Sequence, residues 1–432
     1  MQLKPKSAGV RRALIAASCA LLGNSRAHSQ ELPATTDEGS AGQIHWIFDS
    51  AVAYYHENGR VQAVEPVVNA SKDYQDGEVL NFNLTFDSLS GSSPNGALPS
   101  NQPQTFTGPS GKPKNRYTTA PGQLPADPHY SDQRFALGGS LQMPWSQVSR
   151  WTVGGKVSIE DDFFSFTGDF SVARDFNEKN TTLSLGLYDE NDRLRPIGGE
   201  PEPGGDYELA LKGGSPSKND VGVLFGLTQV MNRHWLAQVN VSADRFTGYL
   251  DDPYKILSVI DDGGATTGYL YEKRPNQRTR ESVYMENRIG WERASVALAL
   301  RYFTDSWKIH SDTARVRLRW WNPDRSQYWE PSFRWYRQTA ADFYSPWISS
   351  SAVSGVTYAS SDSRLAAFHA LTYGLEYGID LGDESEQPRK FTVRVEYYRQ
   401  TIDDRIAPPG PLQSLDVYPG LTAFLAQFGY RF

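Results

Sequence analysis

The stretch LTAFLAQFGYRF, residues 421–432, decides the fold predicted for this chain. Successive side chains of a β-strand point to opposite faces, so every second residue of the stretch shares one face. The residues of that face are Phe424, Ala426, Phe428, Tyr430 and Phe432. A soluble protein rarely exposes such an aromatic face at a free end, whereas the last strand of an outer-membrane barrel meets lipid there. The pattern therefore predicts a lipid-facing closing strand, with Phe428, Tyr430 and Phe432 as the insertion signal read by the barrel-assembly machinery.

The other end of the chain has the pattern of a secretory signal peptide. A basic segment ending in Arg11-Arg12 precedes a short apolar run over 13–22, and Ser25-x-Ala27 offers a small-x-small cleavage site. We therefore expect export by the Sec route. Two alternatives stay open. One is a lipoprotein signal at Cys19, and the other is twin-arginine export, although that route carries folded proteins and a barrel crosses unfolded.

Composition excludes several functions. The formal net charge of −7 argues against nucleic acid as the main partner. The single cysteine, Cys19, lies in the predicted signal peptide, so the mature chain would have no disulfide and no thiolate metal site. Mean hydropathy is −0.54, yet aromatic residues make up 12% of the chain. A polar average with many aromatic residues is typical of a barrel whose strands alternate between lipid and lumen.

Alternation along the chain predicts an all-β, up-and-down antiparallel transmembrane barrel of about sixteen strands. In ARVRLRWW, for example, Val316 and Leu318 lie opposite a ladder of arginines. Fourteen is the alternative count, because Pro66 interrupts the first strand pair. The predicted strands are 46–57, 60–68, 78–88, 133–143, 150–161, 165–176, 181–189, 221–231, 234–246, 283–291, 294–304, 314–321, 329–337, 366–380, 390–402 and 422–432.

The connections between these strands alternate in length. If Phe432 lies in the periplasm, every periplasmic turn is short, and most of the long loops fall on the outer side. We therefore predict a signal peptide over 1–27, a periplasmic N-terminal segment over 28–45 and one barrel domain over 46–432, spanning the cell outer membrane many times.

Five motifs lie between and beside these strands. They are DSLSGSSP (87–94), GYLDDPYK (248–255), RYFTDSWKIHSDT (301–313), FRWYRQTAADFY (333–344) and SSDSRLAAFHALTYGLEY (360–377). In this order they resemble the Gram-negative outer-membrane family known only as domain of unknown function 3570, over nearly the whole mature chain. The resemblance implies an outer-membrane protein and supplies no catalytic residues. It also implies a small lipoprotein as a candidate partner, because similar proteins tend to be encoded near one.

Two outer-loop motifs are candidates for binding or gating. Asp87, Ser90 and Gly91 lead into the loop 89–132, whose eight prolines give no helix or strand pattern. That loop is expected either to plug the lumen or to lie on the surface. Asp251, Asp252 and Tyr254 begin another outer loop, where paired carboxylates suit Ca²⁺, although an ordinary acidic turn is favoured. No other cofactor and no metal site is predicted.

The lumen face is the strongest functional candidate. Its predicted charged residues are Arg301, Arg315, Arg317, Arg319, Arg334, Arg394, Glu286, Glu376 and Glu396. Charged stripes in a pore set its selectivity, whereas charges that pair across a lumen only stabilise it. Most of these charges are expected to pair across the lumen. The run of three arginines on one strand has no evident local partner, so a weak preference for anions is the alternative for that run.

Enzymatic interpretations have little support. The chain has no Gly-x-Ser-x-Gly motif, and its histidines lack metal-ligand spacing. His310 beside Asp312 is the one pair typical of barrel proteases. The sequence therefore predicts a channel or export conduit for small solutes and no enzyme. The alternatives are a non-conducting scaffold for a periplasmic or surface partner and, least favoured, an outer-membrane hydrolase.

Overall fold

The computed structural model describes residues 46–74, 76–108, 116–207, 211–382, 389–415, 417–418 and 420–432. The predicted signal peptide and N-terminal segment lie outside the described residues. The strands are numbered β1 to β23 in chain order. Sixteen of them close into one antiparallel barrel, in which each strand pairs with the barrel strands before and after it along the chain.

The barrel strands are β1 (Trp46–Glu57), β2 (Val61–Asp73), β3 (Val79–Pro94), β6 (Ala126–Ser146), β7 (Ser149–Ile159), β8 (Phe163–Phe176), β9 (Thr181–Leu194), β12 (Ser217–Asn232), β13 (Trp235–Gly248), β16 (Gln277–Gly290), β17 (Ala294–Asp305), β18 (His310–Trp321), β19 (Gln327–Gln338), β21 (Phe368–Asp380), β22 (Lys390–Ile402) and β23 (Leu421–Arg431). The loop strands are β4 (Gln104–Thr107), β5 (Arg116–Thr119), β10 (Glu200–Pro201), β11 (Leu211–Lys212), β14 (Ile256–Ile260), β15 (Thr266–Tyr271) and β20 (Trp347–Ser349). Short 3₁₀ turns cover Asn177–Lys179, Val353–Gly355, Ser363–Leu365 and Gly410–Ser414.

The predicted barrel is confirmed, with sixteen strands and not fourteen. Each predicted strand overlaps one barrel strand. Pro66 lies inside β2 and pairs with Val52 of β1, but the β2–β3 ladder skips positions 65 and 66. Proline has no N–H to donate, so the ladder is interrupted at that point without ending the strand. No helix in the described part of the chain is long and apolar enough to cross a membrane.

All the long connections lie at one end of the barrel, together with the short turns 58–60, 160–162 and 306–309. One end carries the loops 95–125, 195–216, 249–276, 339–367 and 403–420. The other end carries the turns 74–78, 147–148, 177–180, 233–234, 291–293, 322–326 and 381–389. Following the general rule for bacterial barrels, we call the first end the outer end and the second the periplasmic end.

The outward face of the barrel is apolar and open. Phe428 and Phe432 of the final stretch are 52% and 44% exposed, and Leu187 on the far side of the barrel is 51% exposed. Soluble monomers rarely expose apolar surface on this scale. The outward face is therefore the lipid-facing surface predicted from the sequence.

Tryptophan side chains mark one edge of this surface. Seven of the eleven tryptophans lie on the outward face at or beside the periplasmic ends of the strands, and these are Trp46, Trp145, Trp151, Trp235, Trp291, Trp320 and Trp329. Tryptophan has an apolar ring and a polar N–H, so it favours the boundary between lipid and water. These residues therefore form an interfacial belt.

The barrel closes between β1 and β23. Phe48 N–H donates to Phe432 O at 2.8 Å, and Phe432 N–H donates to Phe48 O at 2.9 Å. The two rings lie 5.3 Å apart on the outside. On the inside, Arg431 Nε contacts Asp49 Oδ1 at 2.6 Å. The closing pair is thus fixed by lipid-facing stacking on one face and an ion pair on the other.

Buried apolar clusters lie at the outer end. Two of the five clusters join loop residues to the outer ends of barrel strands, and the other three join residues of different outer loops to one another. We call the described parts of the loops 95–125, 195–216, 249–276, 339–367 and 403–420 together the outer cap. The prediction that the loop 89–132 has no strand pattern was wrong, because β3 extends to Pro94, β4 and β5 form a hairpin, and β6 begins at Ala126.

Lipid exposure can be tested at neighbouring positions of β3. Leu84 faces outward and is 40% exposed, whereas Thr85 faces the lumen near Asn83. We expect Leu84→Arg to lower the free energy of unfolding by about 2–4 kcal/mol, because the cation faces hydrocarbon. Thr85→Arg is the matched control and should cost much less. Urea unfolding in lipid vesicles measures both, and equal losses would contradict the assigned faces.

Candidate functional site

The inward side chains of β16 to β22 form a charged wall. All nine charged residues predicted to line the lumen lie on the face opposite to the exposed apolar side chains of their strands, and they are Arg301, Arg315, Arg317, Arg319, Arg334, Arg394, Glu286, Glu376 and Glu396. The antiparallel register brings residues that are distant in the sequence onto neighbouring positions of this wall.

Six of the charges on this wall alternate in sign across it. They are Glu286, Arg317, Glu330, Arg319, Glu376 and Arg394. Arg317 lies 3.6 Å from Glu286 and 3.8 Å from Glu330. Arg319 Nε lies 2.5 Å from Glu330, and its Nη2 lies 3.6 Å from Glu376. Arg394 lies 2.6 Å from Glu376 and 4.0 Å from Glu396. Each half-buried charge thus meets an opposite one, which stabilises the wall.

The expectation that the arginine run has no local partner was wrong for Arg317 and Arg319. Their partners come from neighbouring strands, and Glu330 of β19 was not among the predicted residues. The alternation of β19 places Glu330 on the same face as Arg334, so the signal was present in the sequence. The pairing itself depends on the register between strands, which alternation does not give.

Arg301 and Arg334 differ from the paired arginines. Within the described residues neither forms an ion pair, and Arg301 is exposed although it faces into the barrel. Each instead lies near an aromatic ring, Arg301 at 5.8 Å from the Phe303 centroid and Arg334 at 5.0 Å from that of Tyr336. A guanidinium without a counter-charge needs water around it. Both guanidinium groups therefore depend on water within the lumen.

The opposite side of the lumen is built from small side chains. The inward residues of β6 to β9 include Ala136, Gly138, Ser140, Thr152, Gly154, Ser158, Ser165, Ser171, Thr182, Ser184 and Gly186. We call this the small wall. Lys156 is the exposed inward cation on β7. At these positions the side chains reach less far into the lumen than the arginines of the charged wall do.

The β14–β15 hairpin is the centre of the outer cap. All five residues of β14 are buried. β20 pairs with it in parallel, and Leu98 N–H donates to Ser258 Oγ at 2.9 Å. Asp206 forms an isolated antiparallel β-bridge with Leu270. Gly264 (φ +83°) packs so closely against Pro409 that an added Cβ would lie 2.3 Å from Pro409 O. Four other outer loops therefore converge on one hairpin.

The cap is sealed against the charged-wall side of the barrel by apolar contacts. Tyr344, Trp347 and Tyr418 come from the loops and pack in one cluster with Phe368 and Tyr398, which face inward. A second cluster joins Trp307, Ile309, Ala341 and Leu365 at the outer ends of β17 to β21. The outer loops thus fold down onto the inner face of the mouth along this side.

A buried polar group ties the hairpin loop to the loop 339–367. Glu272 Oε1 lies 2.7 Å from Arg274 Nε, and Ser360 Oγ donates to the same carboxylate. Arg274 also lies 2.9 Å from Asp362, which Arg364 contacts as well. Burial raises the pKa of Glu272 to about 7, and the Arg274 charge opposes the rise. Burial alone would raise the pKa of Asp362, but Arg364, Lys255 and Arg274 hold it well below its usual range.

The motif residues of the loops have structural partners. Asp87 accepts hydrogen bonds from Arg134, and Ser90 Oγ accepts one from Gln62. Gly91 has φ +128°, and a Cβ there would lie 2.4 Å from Arg60 O, so the turn requires glycine.

The second loop motif lies in the outer cap. Asp251 accepts a hydrogen bond from Arg274 N–H, and Asp252 accepts one from Tyr254 N–H and another from Arg364. Tyr254 OH donates to Asp162 at 2.5 Å. Among the described residues no group of three or more His, Cys, Asp or Glu side chains is arranged to hold a metal ion.

The predicted hydrolase pair is not brought together. His310 Nδ1 lies 3.0 Å from Thr304 Oγ1 and 3.4 Å from Tyr302 OH rather than against Asp312. A different pair, His369 Nδ1 and Asp403 Oδ1 at 2.5 Å, lies at the outer rim. It was not predicted, because His369 is on β21 and Asp403 is in the loop that follows β22.

The barrel is closed, has sixteen strands and an apolar exterior, and carries a charged lumen wall and an outer cap. These features define a transmembrane β-barrel protein. The chain belongs to the family described as Protein of unknown function (DUF3570), whose model matches residues 11–432. The suspected family is thereby confirmed. Comparison with curated proteins finds no match.

Several solved barrels are similar to the chain in outline. OccK2 (OpdF) of Pseudomonas aeruginosa is 9% identical with a TM-score of 0.40, over 91% of this chain and 99% of that one. A bacterial polysaccharide outer membrane secretin is 9% identical with a TM-score of 0.42, over 90% and 98%. These are distant structures, and the fold described above rests on the strand pairings of this chain.

The alternating charges predict the effect of removing their central carboxylate. Glu330→Gln should lower the free energy of unfolding by about 1–3 kcal/mol, because Arg317 and Arg319 each lose one buried partner and keep another. Urea unfolding of the refolded barrel measures it. Glu396→Gln is the matched control, since its contact with Arg394 is 4.0 Å long. Equal effects of the two substitutions would contradict the assigned network.

The raised pKa of Glu272 predicts a pH-dependent cap. The folded cap favours protonated Glu272, so the contribution of this group to stability is fully present below its ordinary pKa of 4.5 and is lost as pH rises through about 7. Hydrogen exchange of the β14 amides should show an opening free energy lower by about 1–3 kcal/mol at pH 8 than at pH 5. Glu272→Gln should abolish most of this difference. An unchanged pH dependence in that variant would show that another group is responsible.

Proposed function

We propose that this protein is an outer-membrane channel for small solutes with a preference for anions. The observation that carries the proposal is Arg301, an exposed guanidinium inside the barrel that has no ion pair within the described residues. Such a group is tolerated where water reaches it, and an aqueous lumen in a membrane barrel is the basis of a pore. Its charge, with that of Arg334, attracts anions into the space beside the small wall.

Location in the outer membrane is supported by the exterior. The apolar outward face, the interfacial tryptophan belt and the alternation of long and short connections are typical of bacterial outer-membrane barrels. The partners that fit this location are the bilayer, the barrel-assembly machinery acting on β23, and a small lipoprotein. Export by the Sec route belongs to the same proposal.

A non-conducting scaffold is the second candidate. It is favoured by the five apolar clusters at the outer end and by the convergence of five outer loops over the mouth. A cap that never opens would leave a barrel that only presents its surface to a partner. Electrical recording separates the two candidates, because a sealed scaffold carries no steady current.

The channel proposal makes a quantitative prediction for Arg301. In planar bilayers with a KCl gradient, Arg301→Ala should lower the ratio of chloride to potassium permeability by about twofold or more, because the unpaired cation no longer attracts anions. Arg399→Ala is the matched control, since Arg399 is exposed on the outward side of β22. Equal ratios for wild type and Arg301→Ala would overturn the anion preference.

A further inference from the structure

The outer cap leaves one edge of the mouth unsealed by apolar contacts. A cavity of about 410 Å³ lies there between the cap and the outer ends of β6, β9 and β12. Tyr130, Asp132, Leu194 and Lys218 line it from the barrel, and Tyr254 lines it from the cap. These barrel residues share the inward face with the small wall beneath them. The cavity therefore stands directly above the small wall.

The length of one connection explains why the gap is at this edge. The β7–β8 turn spans only 160–162, whereas the flanking loops 95–125 and 195–216 are long enough to reach the central hairpin. The cap meets this short turn through Tyr254, whose OH donates to Asp162 at 2.5 Å and accepts from Ile197 N–H at 3.0 Å. One side chain thus spans the gap between hairpin loop and rim.

Many residues that line the cavity are charged, whereas the cap contacts the charged-wall side of the barrel through apolar side chains. Asp132, Asp161 and Asp162 face the cavity from the barrel rim. Lys218 Nζ is held by Asp192 at 3.2 Å, and Lys255 Nζ donates to Pro94 O at 2.7 Å, so both cations are fixed to its walls. A surface of charged groups keeps water in a space of this size. The charged lining of this cavity suits water better than the apolar contacts on the other side of the mouth do.

We propose that this cavity is the portal through which small solutes pass the outer cap and enter the lumen. The inference rests on the proposed channel function and adds the path by which solutes reach the lumen. In the portal, solutes pass beside the Tyr254–Asp162 contact, between the cap and the barrel residues Tyr130, Asp132 and Lys218, and then descend beside the small wall.

Single-cysteine variants test the route. The only native cysteine, Cys19, lies in the predicted signal peptide, so an introduced thiol would be the sole one in the mature chain. Asp161→Cys places a thiol on the portal rim. Asp262→Cys is the matched control, because Asp262 is an exposed aspartate of the β14–β15 turn that does not line the cavity. Each variant is recorded in planar bilayers before and after biotin-maleimide, with labelling verified by mass.

We expect labelling of Asp161→Cys to reduce the conductance by about half or more, because the adduct fills the portal, and labelling of Asp262→Cys to leave it nearly unchanged. A conducting barrel in which neither adduct reduces the current would overturn the portal while leaving the channel function intact. Equal reductions at both positions would overturn it as well, since the whole mouth would then conduct. A wild-type barrel without current would overturn the channel function itself.

Discussion

Backbone pairing between β1 and β23 is the contact on which the rest of the structure depends. In hydrocarbon an unpaired strand edge leaves a row of N–H and C=O groups without partners, so a sheet can cross a membrane only when it is closed. The exchange of hydrogen bonds between Phe48 and Phe432 completes that closure. Once the sheet is closed, the faces of all sixteen strands are fixed, with one set of alternate residues towards lipid and the other towards the lumen.

The antiparallel pairing of the closed barrel also determines which charged side chains contact each other. Antiparallel register places Arg317 and Arg319 beside glutamates on neighbouring strands, and those pairs make the lumen wall stable. Arg301 and Arg334 have aromatic neighbours and no ion pair within the described residues. In the proposed channel these two arginines attract solutes, whereas Arg317 and Arg319 stabilise the wall.

Sequence alternation predicted the strands well for a physical reason. A strand between lipid and water must alternate with period two, so apolar and polar residues mark its faces directly. The outer cap could not be predicted in this way. Its contacts join segments far apart in the chain, such as Leu98 and Ser258, and its buried residues follow no period. Alternation along β19 could have identified Glu330 as an inward residue. Its partners could not be identified, because they depend on the register between strands, which a single sequence does not specify.

The barrel combines a charged lumen with a cap that covers most of its mouth. The decisive measurement is the current carried by the full mature chain in a planar bilayer of outer-membrane lipids. A channel of the proposed kind should give small, steady, anion-preferring unitary currents, because water and solutes pass beside the cap. Reconstituted, correctly folded barrels that stay electrically silent would contradict the proposed function.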